Sequence, residues 1–452
     1  MLPHLGFALE LIQADVLARY NRILGKDTFF LTGTDEHGKK VAEAAEKVGK
    51  APAKFSSEIA ARFKALTKTL NLSNNDFIRT TDKERHWPVV KKVWLGLKKK
   101  GDIYKKKYKG LYCVGCEAFI TKKDLKEGRC VIHQKEPEKI EEENYFFRLS
   151  KYSKKIEKII KKNEIRIIPE SRKNEMLSFT KQGLQDVSFS RPKKGLKWGI
   201  PVPDDDSQTV YCWADALINY LSGAPGRWPA DVQCIGKDIQ KFHCLIWPGM
   251  LLSLGLQLPK IIFVHGFVTV ENQKMSKSLG NVIDPFELVK KYGTDPVRYF
   301  LLREIPPTED GDYTRQKFEG RYNSDLALGL GNLVARVITL AEKFKIQNPK
   351  PKINPGLKKE IEKSKEAWTK TLDEFKFNEA LIAIWRLISF CDRYIEKEKP
   401  WKESEKQLSI INDLLFALEN IAQILKPFLP DTSEKILRQL NSKKSKPLFP
   451  RI

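Results

Sequence analysis

A short β-branched and aromatic run, Thr28 to Thr32, is followed by the polar turn Thr34-Asp35-Glu36-His37-Gly38 and then by a helical pattern through Val48. Strand, loop and helix in that order constrain the fold strongly, because parallel strands need crossover connections and those are usually helices. Upstream, Leu9, Ile12, Val16, Leu17, Tyr20 and Leu24 recur on one face of a helix predicted over residues 8–24. The order predicts an α/β fold built on a parallel sheet, with ligands beyond the carboxyl ends of the strands. The pattern returns with Thr209-Val210-Tyr211 and with Val232-Gln233-Cys234-Ile235-Gly236, and one further strand is predicted from Ile261 to Val270. Between Lys99 and Ser190 it gives way to cysteine pairs and short β runs, which read as an insertion. After about Tyr322 the chain reads as helical, with breaks at 349–355 and Pro400.

A chain of 452 residues is long enough for roughly three folding units, and 41% apolar residues suffice for real cores. No stretch approaches the roughly 18 unbroken apolar residues of a membrane span. Glu10 and Asp15 in an opening without a basic start argue against a secretory signal. The seven cysteines are an odd number, and three lie near one histidine, which predicts a cytoplasmic chain with a metal site and not a disulfide scaffold. Secreted, fibrous, disordered and integral-membrane classes are excluded. The net charge of +24 permits a polyanionic partner, but lysine runs such as Lys98-Lys99-Lys100 and Lys105-Lys106-Lys107 also suit solvated faces.

Three sets of residues carry chemistry. Pro3-His4-Leu5-Gly6-Phe7 opens a helix, where backbone N–H groups, an imidazole and a glycine suit a phosphate and a flat ring. Lys274-Met275-Ser276-Lys277-Ser278 offers two ammonium groups in a loop that can close over a triphosphate as charge builds on its leaving group. Cys113-x2-Cys116 and Cys130-x2-His133 supply a closed, four-coordinate set of thiolates and imidazole that favours one structural Zn²⁺. Trp213, Tyr220, Phe242, His243 and Trp247 read as ordinary core residues on composition alone.

The His-x-Gly and Lys-Met-Ser-Lys-Ser segments resemble the HIGH and KMSKS signatures of class I aminoacyl-tRNA synthetases. Phe30 to Gly38, Tyr211 to Tyr220 and Ile235 to Ile239 bring the resemblance to the methionyl-tRNA synthetases, along essentially the whole chain. It implies a Rossmann-type parallel-sheet catalytic domain split by a zinc-knuckle insertion and followed by an all-α anticodon-binding helix bundle. The boundaries expected are a first catalytic half over 1–99, the insertion over 100–208, the second half over 209–265, a stem-contact fold with the KMSKS loop over 266–321 and the bundle over 322–452. It further implies that His4, Gly6, Lys274 and Lys277 are catalytic, with His4, Gly6, Gly236, Asp238 and Lys277 on ATP and Mg²⁺ accompanying the nucleotide. Asp35 is expected on the substrate ammonium and Arg191 near its carboxylate, with Trp213, Leu217, Tyr220, Phe242, His243 and Trp247 around the side chain. Asn332, Arg336 and Trp401 are expected at the anticodon, where an Asn/Arg pair reads base edges and an indole stacks an unpaired base.

The activity so implied is ATP-dependent formation of methionyl-adenylate and its transfer to the 3′-terminal ribose of tRNA(Met), by a cytoplasmic monomer without membrane association. A synthetase for another amino acid, disfavoured by the aromatic pocket and the short insertion, and a tRNA-binding protein without catalysis are the alternatives. Two departures stand out. Phe7 occupies the position of the signature's second histidine. Only Met1 and Leu2 precede Pro3, where relatives carry a β-strand, so a parallel sheet lacking one inner strand and poor activity of the 452-residue form are expected.

Overall fold

The computed structural model describes residues 2–115, 118–120, 124–131, 134–275, 280–346, 353–402 and 406–452. They divide into two compact units, one of Phe29–Ala65 and Asn74–His265 together with Leu2, the other of Pro3–Thr28, Leu66–Ser73 and Gly266–Ile452.

In the first unit, β1 (Leu31–Thr34) pairs in parallel with β2 (Asp76–Arg79), Leu31 opposite Asp76 and Thr34 opposite Arg79. The strand predicted from Thr28 therefore begins at Leu31. Phe30 is held instead by Asn75, whose side chain accepts from its N–H and whose N–H donates to its carbonyl. Strand propensity is realised only where a partner strand is present to pair with it. Gly33 allows the pair to approach, because a Cβ there would lie 2.1 Å from the Ile78 carbonyl oxygen.

The insertion is dominated by an antiparallel pair, β3 (Ile103–Cys113) and β4 (Glu138–Phe147). Its register sets Lys107 opposite Glu143 and Lys109 opposite Glu141, so part of the lysine run is balanced across the ladder. A second parallel piece has the order β7 (Val232–Gly236), β8 (Ile261–His265), β5 (Arg166–Ile168), and β6 (Asp205–Val210) leads into the short helix Cys212–Ala216. The parallel sheet thus comes in two pieces, and among the described residues no strand joins β1–β2 to β7–β8–β5. One core runs beneath, with Trp94, Phe147, Ile156, Trp247, Met250 and Ile262 buried together.

The predicted strand from Ile261 to Val270 breaks into β8 and β9 (Val268–Val270). The break falls at Gly266, where a Cβ would lie 2.1 Å from the Glu309 backbone, and there the chain passes from the first unit to the second. In the second unit β9 pairs in parallel with β10 (Gly311–Tyr313). A short strand, Gln273–Lys274, pairs antiparallel with β9 on its other side, and the rest is mainly helical, beginning with Leu5–Ile23 and ending in Asn332–Lys343, Pro355–Asp373, Phe377–Glu398, Gln407–Leu425 and Pro430–Ser442. Helix starts follow local chemistry: Asn354 caps the N–H groups of Gly356 and Leu357, with Pro355 at the first helical position. Gln407–Leu425 has the length and apolarity of a membrane span, yet 67% of its apolar window is buried in the bundle, as befits a core helix.

Candidate active site

The second unit carries both expected nucleotide signatures. His4 is the N-cap of the opening helix, its Nδ1 accepting from the Gly6 N–H at 3.1 Å. Burial pushes the imidazole down to about 4, so the ring is neutral near pH 7. An accepting Nδ1 in a neutral ring leaves the proton on Nε2, which makes His4 a donor to an anion. Gly6 permits this arrangement, because a Cβ there would lie 3.0 Å from the His4 ring and 4.0 Å from the Met275 methyl. The opening helix and the lysine loop therefore meet at Gly6 and Met275. Lys274 is exposed, with Nζ 4.9 Å from the centre of the Phe267 ring, whereas Lys277 lies outside the described residues. Phe7 packs its ring 4.4 Å from that of His4, so it supports the cap without replacing a second imidazole.

In the first unit, the loop after β1 presents Asp35 exposed between pinned neighbours. Glu36 is 3% exposed, and its carboxylate accepts from Thr34, Thr81 and both arms of the Arg79 guanidinium. The Trp198 indole donates to the Glu36 carbonyl at 2.6 Å. His37 is buried and donates from Nδ1 to Asp215 at 2.6 Å. Such a loop holds a carboxylate in place without first having to be ordered by a ligand.

Facing residues from the next elements form an aromatic wall. Trp213 and Phe242 stack at 3.9 Å with 10° between planes, and Trp213 meets His243 edge-on at 6.4 Å. His243 Nδ1 donates to the Ile239 carbonyl, so in the neutral ring Nε2 accepts from the Tyr220 hydroxyl at 2.8 Å. Phe242 and His243 open a π-helical turn, Phe242–Ile246, a geometry that recurs at functional positions. Leu217 and Trp247, expected in the same pocket, are 1% and 0% exposed and stand in the core behind the wall. At the ends of the parallel strands Gly236 lies opposite His265, and a Cβ on it would come within 2.8 Å of Asp238 Oδ1. Gly236 and Asp238 thus occupy the carboxyl end of β7, the side on which such sheets bind ligands. Arg191, expected near the substrate carboxylate, is 5% exposed and forks onto Glu142 at 2.7 and 3.0 Å.

The model of the class I tRNA synthetases (M) matches residues 1–126 and 120–338, and that of the anticodon-binding domain of tRNA ligases matches 356–450. The methionine–tRNA ligase of Thermotoga maritima is 44% identical over 97% of this chain and 73% of its own length. The chain belongs to the methionyl-tRNA synthetase family. The corresponding Nostoc enzyme is 41% identical over 97% of this chain and 87% of its own. Mycobacterium tuberculosis methionyl-tRNA synthetase, solved bound by methionyl-adenylate, matches with a TM-score of 0.91 at 36% identity, over all of this chain and 95% of that one. A class I synthetase catalytic domain followed by an anticodon-binding domain, as expected from the motifs, is therefore the architecture of this chain.

Two more expectations of the methionyl-tRNA synthetase resemblance can be placed. In the second unit, Asn332 is exposed within the continuous helix Arg315–Lys343, and Arg336, one turn on, lies with its guanidinium 5.9 Å from the centre of the Trp401 ring. Trp401 is 42% exposed, and Arg336 also pairs with Glu396 at 2.6 Å, so the fold unites an indole, a guanidinium and an amide on the bundle. Of the metal set, Cys113 and Cys130 are 2% and 1% exposed in one small cluster with Ile120, whereas Cys116 and His133 lie outside the described residues. Sequence reasoning missed His86, Asp215, Arg79 and Trp198. Asp215 lay inside a quoted motif, but the partners of His86, Arg79 and Trp198 are 43 to 162 residues away and leave no local signal.

Proposed function

We propose that the chain charges tRNA(Met) with methionine. The methionine carboxylate attacks the α-phosphorus of ATP in line, forming the acyl–phosphate bond of methionyl-adenylate as the bond to pyrophosphate breaks. The 2′-hydroxyl of the terminal ribose then attacks the activated carbonyl, its proton leaves, and AMP departs. Both steps need positioning and charge stabilisation, with no protein nucleophile. The neutral His4 donates from Nε2 to the nucleotide phosphates, Gly6 gives the flat ring access, and Lys277, with Lys274 beside it, stabilises charge on the departing pyrophosphate. Gly236 and Asp238 take the nucleoside. Asp35 takes the ammonium and Trp213, Tyr220, Phe242 and His243 the thioether, backed by Leu217 and Trp247. In this reading Arg191 acts from its pairing with Glu142, steering the substrate carboxylate by charge. Mg²⁺ bound with ATP would neutralise phosphate charge. The insertion is read as a zinc knuckle: two buried thiols in one small cluster suit a soft, closed site, and Cys113, Cys116, Cys130 and His133 would hold a structural Zn²⁺. Asn332, Arg336 and Trp401 read the anticodon.

The observation that carries this reading is the stacked Trp213–Phe242 wall closed by the Tyr220–His243 pair, a polarisable lining suited to sulfur. Methionine-dependent exchange of pyrophosphate into ATP tests it. Exchange with methionine, and not with leucine, isoleucine, valine or cysteine, is expected. Exchange driven by one of those instead, or by none, refutes it.

A further inference from the structure

Asp215 lies wholly buried between two imidazoles. His37 Nδ1 donates to Oδ2 at 2.6 Å and His86 Nε2 donates to Oδ1 at 2.7 Å, while the Ser222 hydroxyl donates to His86 Nδ1 at 2.7 Å. His37, His86 and Asp215 are 2%, 0% and 0% exposed. Burial alone would push the Asp215 carboxyl up, yet His37 and then His86 hold it below the usual carboxylate range. A buried ionic network of this kind adds little stability over an apolar core of the same shape, because desolvation offsets the attraction. What it does provide is a fixed geometry between the elements it joins.

Three of those elements carry proposed methionine contacts. His37 is two residues from Asp35, Asp215 two from Trp213, and Ser222 two from Tyr220. His86 ties both helices, Cys212–Ala216 and Asn219–Ser222, to the start of the helix Trp87–Lys99. We propose that the His37–Asp215–His86–Ser222 relay is the positioning element of the methionine site, setting the distance from the Asp35 carboxylate to the aromatic wall and with it the length of side chain accepted. The inference rests on Asp35, Trp213 and Tyr220 being methionine contacts. None of the relay residues touches the reacting atoms. They act through the residues beside them.

The test measures KM for methionine and for ATP by pyrophosphate exchange, with ethionine, one methylene longer, as a competing substrate. His37→Ala is expected to raise the methionine KM about tenfold and to weaken discrimination against ethionine, with the ATP KM within about twofold of wild type. His37→Gln, whose amide can still donate to Asp215, should recover most of the loss, and Asp215→Asn should fall between. If Asp215→Asn does not fold, His37→Gln and Ser222→Ala carry the comparison, since neither strands a buried charge. Equal changes in both KM values, or no change in either, overturn the proposal. Asp35→Ala and Trp213→Ala separate the two readings: if neither affects methionine, the assignment of the site has failed, and if both do while the relay variants do not, only the relay has.

Discussion

The Arg298 guanidinium forms an ion pair with the Asp15 carboxylate at 2.8 Å, with neither side chain exposed. Asp15 sits on the opening helix that starts at His4, and Arg298 also donates to the carbonyls of Leu70, Pro427 and Phe428, so one cation ties that helix to the end of the bundle. Burial opposes the charge on Asp15, but Arg298 and Arg19 hold its carboxyl below the usual range. Removing one partner strands the other, which costs about 3–5 kcal/mol. Arg298→Met is therefore expected to lower stability by that amount in urea titrations. For Asp15 the folded pKa is depressed, so its contribution is present above the unfolded value near 3.8 and is lost as pH falls below it. The deficit of Asp15→Asn should shrink in acid.

Asp295 shows the opposite sign. Burial pushes its carboxyl up to about 6, and Oδ1 has no hydrogen-bond partner among the described residues, while Oδ2 accepts from the Thr432 N–H. A carboxyl raised in the fold favours folding below its unfolded pKa near 3.8, and that advantage is lost as pH rises to about 6. Asp295→Asn should thus stabilise the protein at pH 8 by up to about 3 kcal/mol and have little effect at pH 3.5. Denaturant midpoints at the two pH values check it, and a uniform loss of stability would contradict the argument.

Lys277→Ala should slow adenylate formation while leaving methionine binding nearly unchanged. An ammonium that meets charge only as pyrophosphate departs contributes about 3–4 kcal/mol to the transition state. Stopped-flow activation rates decide the matter, and an unaltered rate removes Lys277 from the chemistry.

Arg336→Ala and Trp401→Ala should impair tRNA charging and spare methionine-dependent pyrophosphate exchange. A stacked base is worth about 1–3 kcal/mol, and the half-exposed indole lies against the guanidinium. Should both activities fall together, the pair supports the fold instead. Glu396→Gln adds a sharper check: freeing Arg336 from its ion pair is expected to strengthen tRNA binding at low salt.

One zinc per chain should copurify, and Cys130→Ser should destabilise the insertion locally with a smaller effect on the exchange reaction. Elemental analysis of soluble protein checks the first part and limited proteolysis the second. Protein that is fully folded and free of zinc would dismiss the knuckle.

The sequence by itself determined what depends on neighbours along the chain. Strand-loop-helix order, the His4 cap over Gly6, the lysine loop, the cysteine spacing and the positions of Trp213, Tyr220 and Phe242 are local patterns, and a motif is a local pattern. Even the locally predicted strands moved where pairing decided them, as at Leu31, which waits for Asp76, and at Gly266, which bends away from a close backbone. Only the tertiary structure decided which charges are spent. It committed Arg191 to Glu142, clamped Glu36 with Arg79 and Trp198, set two imidazoles on Asp215 and buried Leu217 and Trp247 in the core against which Trp213, Tyr220 and Phe242 pack. The physical reason is that desolvation and hydrogen bonding act through space. A side chain's chemistry is set by whichever groups surround it after folding, and those partners stand tens to hundreds of residues away in the chain.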